Sequence, residues 1–568
     1  MLLALGCLVA LSLALRCIGL GRELPQQPDE DPLIVGQAES LRRVLAGEPV
    51  AGTVEPHYPL VLAYTLALWP LPAHDAAAER ADPLAYHLER AARPHHRARL
   101  LVALISTLAV PFTWLLARRF VGPWWALFAA ALVATSLQHV HLSQSARPHG
   151  ALATYITLAL WLDVRLLERG RTRDHLLAGA ATALAIGCLH TGASTLLPLV
   201  AAQLVRLRRD GARAALRAAA AWVLVAALVW LAYLGPLADA RAAQLTSNGG
   251  DVTLSGHVFP RSVFDGGGFA RMGPLLWLAD PLLSVLGAIG LGVAIVRVLR
   301  RRAPPGAASR LLCVWALPYL VVMGMYSRVP ARFLLPLVPL LALLAALGLA
   351  HFTATATRRF LPILAALALL ALPTFACARL AWLNSRPDAA TQVARWLERN
   401  ADREHDLIHL SALASLPLFL RDEDGGRLYA ADFSYWDAYL AELPPELREA
   451  HGWRTRRMIS GEIGRRRIDQ ASQQAVLDTP PARPVRRRLA VVSEPYFAPA
   501  WDPAPAVLRA ASARELWRCE VEDAPRAHHE LAIDVGVTLA SVLARTRQGQ
   551  RTVVYELPPL AAETLGDR

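Results

Sequence analysis

The chain contains no lysine, so all 59 of its basic residues are arginine. This is a bias of composition and carries no functional weight. Cysteine is nearly as scarce. Five of the six, Cys7, Cys17, Cys188, Cys313 and Cys377, lie in apolar runs, and only Cys519 lies in the polar C-terminal part. No Cys-X-X-Cys spacing occurs, which removes the usual zinc and redox sites, and one cysteine cannot build a disulfide framework in residues 384–568. Charge is low too. Charged residues make up 18% of the 568 residues, against about 25% in an ordinary soluble chain. The 35 Gly and 40 Pro follow no period, which excludes a collagen-like chain.

What is present in quantity is apolar. Hydrophobic residues account for 54% and the mean hydropathy is +0.32. Such a chain is neither disordered nor soluble. Its charge is uneven: residues 1–383 hold 34 Arg against 19 acids, and residues 384–568 hold 25 against 27. The basic excess thus sits between apolar runs, where membrane proteins keep their topology signals, and not on the polar part as in a nucleic-acid binder.

A spanning helix needs about 20 mostly apolar residues. Candidates are 1–20, 100–117, 123–142, 150–167, 218–236, 274–296, 310–327, 333–350 and 360–380. No small-residue cleavage site follows Leu20, so the first is read as an anchor. The run 176–205 is about 45 Å long as one helix, while two full crossings need about 60 Å. Arg165, Arg169, Arg171 and Arg173 precede it, and Arg206, Arg208, Arg209, Arg213 and Arg217 follow it. The positive-inside rule puts both clusters in the cytoplasm, so the run enters and returns as two short helices turning near His190-Thr191-Gly192.

The count is then eleven helices from a cytoplasmic N-terminus. The expected organisation is a membrane domain over 1–383, with long outer segments 21–99 and 237–273, and an exported domain over 384–568. That domain reads as mixed α/β. Asp388–Asn400 has helical spacing, and short β-like runs occur at Asp406–Leu410, Leu489–Ser493, Leu516–Val521 and Thr552–Leu557. The expected location is the bacterial inner membrane.

Three acids, Asp29-Glu30-Asp31, stand just after the first helix, before an amphipathic stretch Leu33–Leu45. A carboxylate near an apolar surface can serve as general base, and an acid at a helix start can equally serve as a cap. The two roles are compatible for different members of the trio. His57-Tyr58-Pro59-Leu60 opens an apolar stretch too short to span. His74, His87, His95 and His96 follow with spacings that fit no metal motif, so they read as loop histidines. Arg147 ends the third span at the outer interface, where an arginine can pair with lipid phosphate in general or hold one phosphate bidentately. His190, Arg328 and Arg332 lie at the same level. Asp280, near the outer end of the eighth span, is either an intramembrane functional acid or a loop residue. Phosphate binders facing a carboxylate base point to a transferase with a lipid-phosphate donor.

The order and spacing of several motifs resemble the GT-C superfamily of membrane glycosyltransferases. The nearest branch includes aminoarabinose transferases, protein O-mannosyltransferases and rhizobial galacturonosyl transferases. The resembling elements are Asp29-Glu30 after the first helix, AESLRRVLAG, His57-Tyr58-Pro59-Leu60, Arg99 opening the second span, SLQHVHLSQSARPHGAL, GCLHTGASTLLPL, SRVPARFLLPLVPLLALLAALGL and RPDAATQVARWLERN. The resemblance implies a GT-C membrane core and a polyprenyl-phosphate sugar donor. It implies Asp29 as the base and Glu30 as its support or an acceptor contact. Arg147 matches a donor-phosphate position, with Arg332 and His190 as further candidates, and His57, Tyr58 and Arg99 as substrate contacts. His57-Tyr58 stands where the family usually has Lys-Pro or Pro-Pro. No cofactor is expected, although metal-using relatives exist.

The expected reaction is transfer of a sugar, with inversion, to a hydroxyl of an acceptor lipid, glycan or protein at the outer face. Expected partners are the lipid-linked donor and membrane lipids, with no nucleic acid. The alternative is a transporter or lipid flippase, although the paired repeats such proteins show are absent. A lipid-linked polymerase or ligase would share the donor but act on whole glycans.

Overall fold

A computed structural model of the chain describes residues 1–25, 34–48, 59–70, 74–233, 252–254, 257–259, 261–299, 306–353, 360–411, 414–423, 435–458, 470–494, 504–521, 536–549 and 551–560. It is a multi-pass helical protein with a C-terminal α/β unit. Among the described residues seven helices are long and apolar enough to cross a membrane: Pro83–Ala117, His149–Arg169, Ala212–Tyr233, Pro281–Leu299, Ala307–Met325, Ala331–Phe352 and Ile363–Asn400. The pair Pro123–Ala134 and Leu137–Ser143, bent by 54°, supplies an eighth. Leu2–Cys17 is a shorter apolar helix, and Thr172–Cys188 and Leu196–Asp210 form the two arms of the hairpin expected from the sequence.

The short hairpin turns where its sequence predicts, through the 3-10 segment His190–Thr195. Gly192 is required there, because a Cβ would stand 2.1 Å from the Ala185 carbonyl oxygen. Helices Pro281–Leu299 and Val338–Phe352 also meet at glycines. Gly348 lies so close that its Cβ would be 3.1 Å from the Gly290 Cα, the small-residue contact by which membrane helices approach without a hydrophobic drive.

Two spans depart from the sequence reading. The run 123–142 is not one helix but breaks at Thr135-Ser136. The run 274–296 is also divided: Gly268–Ala279 ends at Asp280, and the span proper is Pro281–Leu299. Residues 21–99 contain the helices Val35–Leu45 and Val61–Ala67.

The C-terminal unit carries a six-stranded sheet. A short antiparallel hairpin earlier in the chain supplies β1 (Val252–Leu254) and β2 (His257–Phe259). The sheet strands are β3 (Asp406–Leu410), β4 (Leu420–Asp422), β5 (Trp453–Arg457), β6 (Arg487–Glu494), β7 (Arg514–Cys519) and β8 (Arg551–Glu556), in the order β4-β5-β3-β6-β8-β7. The first four in that order are parallel, and β8 and β7 close the sheet antiparallel. The helix Ala389–Asn400 precedes β3 and starts at Asp388, whose side chain accepts from the Thr391 amide.

The two units share a core. Ala91, in the first half of helix Pro83–Thr107, is buried in one cluster with Ile408, Phe419, Trp436 and Val491 of the C-terminal unit. His87 on the same helix is hydrogen-bonded to the Tyr439 hydroxyl at 2.9 Å and to Glu79 at 2.9 Å. Thus His74 and His87, read as loop histidines, are both partners of Glu79.

Candidate functional site

The Ser143 end of the third span is built around its break. A helix interrupted inside apolar surroundings leaves carbonyls without partners on one side and amides on the other. Here the carbonyls of Val133 and Ala134 accept from the buried Arg16 guanidinium at 3.2 Å each, and Arg16 also donates to Nδ1 of His139 at 3.0 Å. On the other side Asp280 accepts from the Leu137 amide at 2.8 Å and the Ser136 hydroxyl at 2.7 Å. Ser136 in turn caps His139. Asp280, a candidate site acid by sequence, therefore sits as a helix cap contributed by another span.

This re-aimed segment, Leu137–Ser143, delivers the turn that carries Arg147. His149 follows as the first residue of the next span. Its buried ring stacks on Phe333 with centroids 5.6 Å apart and planes at 22°. The Arg332 guanidinium lies 5.7 Å from the same Phe333 ring. Both Arg147 and Arg332 act electrostatically on His149, so each of these predicted cations lies in its surroundings. The sequence reading nominated neither His149 nor Phe333. The only available signal was their place inside the quoted motifs.

His190 is placed at the hairpin tip, with Nδ1 3.1 Å from the Tyr233 hydroxyl. Its neighbour Thr191 hydrogen-bonds to the Tyr319 hydroxyl, and Tyr319 donates to the carbonyl of Phe333. The tip is thereby tied to the turn that presents Arg332. Arg99 is fully buried. Its Nη1 donates to the carbonyls of Leu20 and Arg22, both at 2.7 Å. Arg99 thus grips the turn that leaves the first helix. Asp29, Glu30, Asp31, His57 and Tyr58 lie outside the described residues.

A second group of charges lies beside the first, and sequence reading missed it. Arg22, Arg99, Arg147 and Arg545 all act on His141. Gly536 of the C-terminal unit, at φ 76°, packs on the same histidine; a Cβ there would be 3.1 Å from its Nε2. Arg22 donates to Gln144 at 3.0 Å and Ser145 at 3.3 Å. Glu23 lies in this group. Burial and the neighbouring Asp388 push its carboxyl above the ordinary range, against the opposing pull of Arg22, Arg99 and Arg545. Linear sequence could not find this group, because its members come from residues 22 to 545. Among the described residues no three His, Cys, Asp or Glu side chains gather as metal ligands.

Comparison with known proteins gives one family match. Residues 92–236 match the family described as dolichyl-phosphate-mannose-protein mannosyltransferase. No curated protein matches. Solved structures with similar folds include the apo oligosaccharyltransferase of Archaeoglobus fulgidus, at 13% identity and a TM-score of 0.45, covering 90% of this chain and 73% of that one. ArnT from Cupriavidus metallidurans in the apo state matches at 16% identity and a TM-score of 0.42, covering 97% of both chains. The same ArnT bound to undecaprenyl phosphate matches at 15% identity and a TM-score of 0.40, again over 97% of both chains. The family match covers the second span, the broken third span with Arg147, and the hairpin with His190, and on it stands the resemblance of this chain to the GT-C membrane glycosyltransferases.

Proposed function

We propose that the protein is an inverting glycosyltransferase that moves a sugar from a polyprenyl phosphate to an acceptor hydroxyl at the outer face of the bacterial inner membrane. The observation that carries this reading is that Arg147 and Arg332 both act electrostatically on His149, with Arg147 and His149 inside residues 92–236, which match a family named for a dolichyl-phosphate sugar donor. The C-terminal unit, residues 384–568, is the exported part in this reading, and the acceptor is a lipid, glycan or protein.

In the proposed reaction the Asp29 carboxylate takes the proton of the acceptor hydroxyl. The acceptor oxygen attacks the anomeric carbon from the face opposite the phosphate. The bond from that carbon to the phosphate oxygen breaks, and its electron pair leaves with polyprenyl phosphate. Negative charge grows on the departing oxygen, where Arg147 and Arg332 stabilise it. Glu30 supports the base or contacts the acceptor. His190 completes the phosphate rim, and His57 and Tyr58 contact substrate. Arg99 acts at one remove, through the turn whose carbonyls it holds.

The test uses purified protein in lipid with radiolabelled polyprenyl-phosphate sugars. Wild type releases polyprenyl phosphate, and Asp29→Asn reduces the rate by about 10²–10⁴-fold, the usual contribution of a positioned base. Retained activity in a folded Asp29→Asn variant removes the base assignment. Failure of wild type to bind polyprenyl phosphate moves the reading to a transporter.

A further inference from the structure

We propose that one end of the C-terminal sheet holds a binding site for a small phosphorylated molecule from solution, built by Arg486, Arg487, Arg514 and the Ser512 hydroxyl. It is separate from the surroundings of Arg147 and Arg332, and it does not depend on the transfer reaction or its base.

A cleft of about 350 Å³ opens where β6 begins and β8 ends. That volume falls within the usual range of small-molecule pockets, about 300–1,000 Å³. Its charged and polar lining is Arg486, Arg487, Arg488, Arg514, Ser512 and Glu556. Val485, Leu557, Pro558 and Pro559 supply an apolar wall. Arginines beside an apolar wall suit a ligand with an anionic end and a less polar body, and the planar guanidinium fork matches the oxygens of a phosphate.

The arginines are fixed by what they hold. Arg486 forks onto Asp406, Nε to Oδ1 at 2.9 Å and Nη2 to Oδ2 at 2.8 Å. Arg487 donates to the same Oδ2 at 2.8 Å and to the Asn400 carbonyl at 2.6 Å. One fully buried carboxylate thus serves two guanidiniums, each with five N–H donors. The next residue, Arg488, is buried and donates to the carbonyls of Leu477 and Pro558. Arg514 pairs with Glu556, and its side chain is 73% exposed. An ion pair so exposed contributes little, so Arg514 can turn to a ligand.

Ser512 is the least expected member. It follows the helix Ala504–Ala510 at φ 55°, inside a left-handed cap. The cap bonds run from the Ala513 amide to the Leu508 carbonyl at 3.0 Å and from the Ser512 amide to the Arg509 carbonyl at 3.1 Å. Glycine adopts this conformation without steric cost and is the usual residue there. Serine weakens the cap and gives the cleft a hydroxyl.

The cleft lies at the opposite end of β8 from the contacts with the membrane unit. Arg545 and Gln548 make those contacts, just before β8 starts at Arg551. Glu556 ends the strand about 17 Å further on. This placement favours a ligand in solution over a headgroup of the same bilayer.

The test is calorimetric titration of the full chain, in nanodiscs of zwitterionic phosphatidylcholine, with glucose 1-phosphate and with glucose. Wild type binds glucose 1-phosphate saturably, inorganic phosphate displaces it, and glucose does not bind. Arg514→Gln weakens binding by about tenfold or more, the scale of a charge-assisted contact. Ser512→Gly weakens it by about 2–10-fold while the unfolding midpoint stays level or rises, a combination that a merely structural serine would not give. Glu556→Gln tightens it by about twofold or more, because a competing carboxylate is removed. Arg147→Ala leaves it within about twofold, which separates this site from the one proposed for the donor. Absence of saturable binding, wild-type affinity in Arg514→Gln, equal binding of glucose, or loss in Arg147→Ala overturns the proposal. Displacement of glucose 1-phosphate when phosphatidylglycerol replaces part of the lipid assigns the cleft to a headgroup and overturns the solution ligand.

Discussion

Arg16 and Asp280 cap opposite sides of one helix break: the guanidinium takes the carbonyls of Val133 and Ala134, and the carboxylate takes the amide of Leu137. Each charge comes from a different span, and each meets the helix end of opposite partial charge. Replacing either by an apolar residue leaves buried backbone groups without partners, at about 1–3 kcal/mol. Arg16→Met and Asp280→Ala should each lower the thermal unfolding midpoint in lipid. The double variant should lose less than the sum, because the break can then relax as one unit.

Arg147 and Arg332 should act together on the donor. Each single alanine variant is expected to weaken undecaprenyl phosphate binding by about tenfold or more, the scale of one charge-assisted contact. Measured by titration in nanodiscs, the two losses should not add, since both guanidiniums act on the same His149. Arg332→Lys should recover only part of the affinity, because an ammonium lacks the planar fork.

The tip of the hairpin depends on Gly192. Alanine there would place a methyl 2.1 Å from the Ala185 carbonyl oxygen, so backbone must move. The expected cost is about 1–3 kcal/mol. The tie from Thr191 through Tyr319 to Phe333 should loosen, and undecaprenyl phosphate affinity should fall with it.

Glu23 gives a pH dependence with a definite sign. Its carboxyl is raised in the folded protein by burial and by Asp388, so the folded state favours the protonated form. The associated stability is full below the ordinary carboxylate pKa and is lost as pH rises through the raised value. Glu23→Gln mimics the protonated form. It should therefore raise the unfolding midpoint relative to wild type near pH 8, and the difference should vanish near pH 4.

The helical core was legible because apolar length is a local quantity. The hairpin was legible for the same reason, with arginines on both flanks. The broken third span was not. No proline or glycine marks Thr135-Ser136, and the break persists because Arg16 and Asp280, distant in sequence, satisfy it. Strand β5 was missed because Trp453-Arg454-Thr455-Arg456-Arg457 reads as a charged loop. It is nonetheless buried. Arg454 pairs with Glu423, Arg457 with Asp437, and Arg456 donates to the carbonyls of Thr479 and Pro480. A buried arginine becomes tolerable only with such partners, and a linear pattern does not display them. In the candidate site, Arg147, Arg332 and His190 were nominated through motif order. His149, Glu23 and Arg545 were invisible because their significance is purely spatial.

The seam between the units also limits how such a chain can be recombined. Asn384 stands at its centre, donating to Gln144 of the membrane unit at 2.7 Å and accepting from Gln548 of the C-terminal unit at 2.7 Å. Gln144 also reaches back to the carbonyl of Leu15, and Arg379 holds those of Val542 and Arg545. A graft made at residue 383 would thus exchange one half of a matched polar set for strangers. C-terminal units from relatives should be transferable only when the first-helix turn, the end of the third span and the 536–549 segment travel as one inheritance, so that the unit evolves by whole-seam replacement and not as a detachable head.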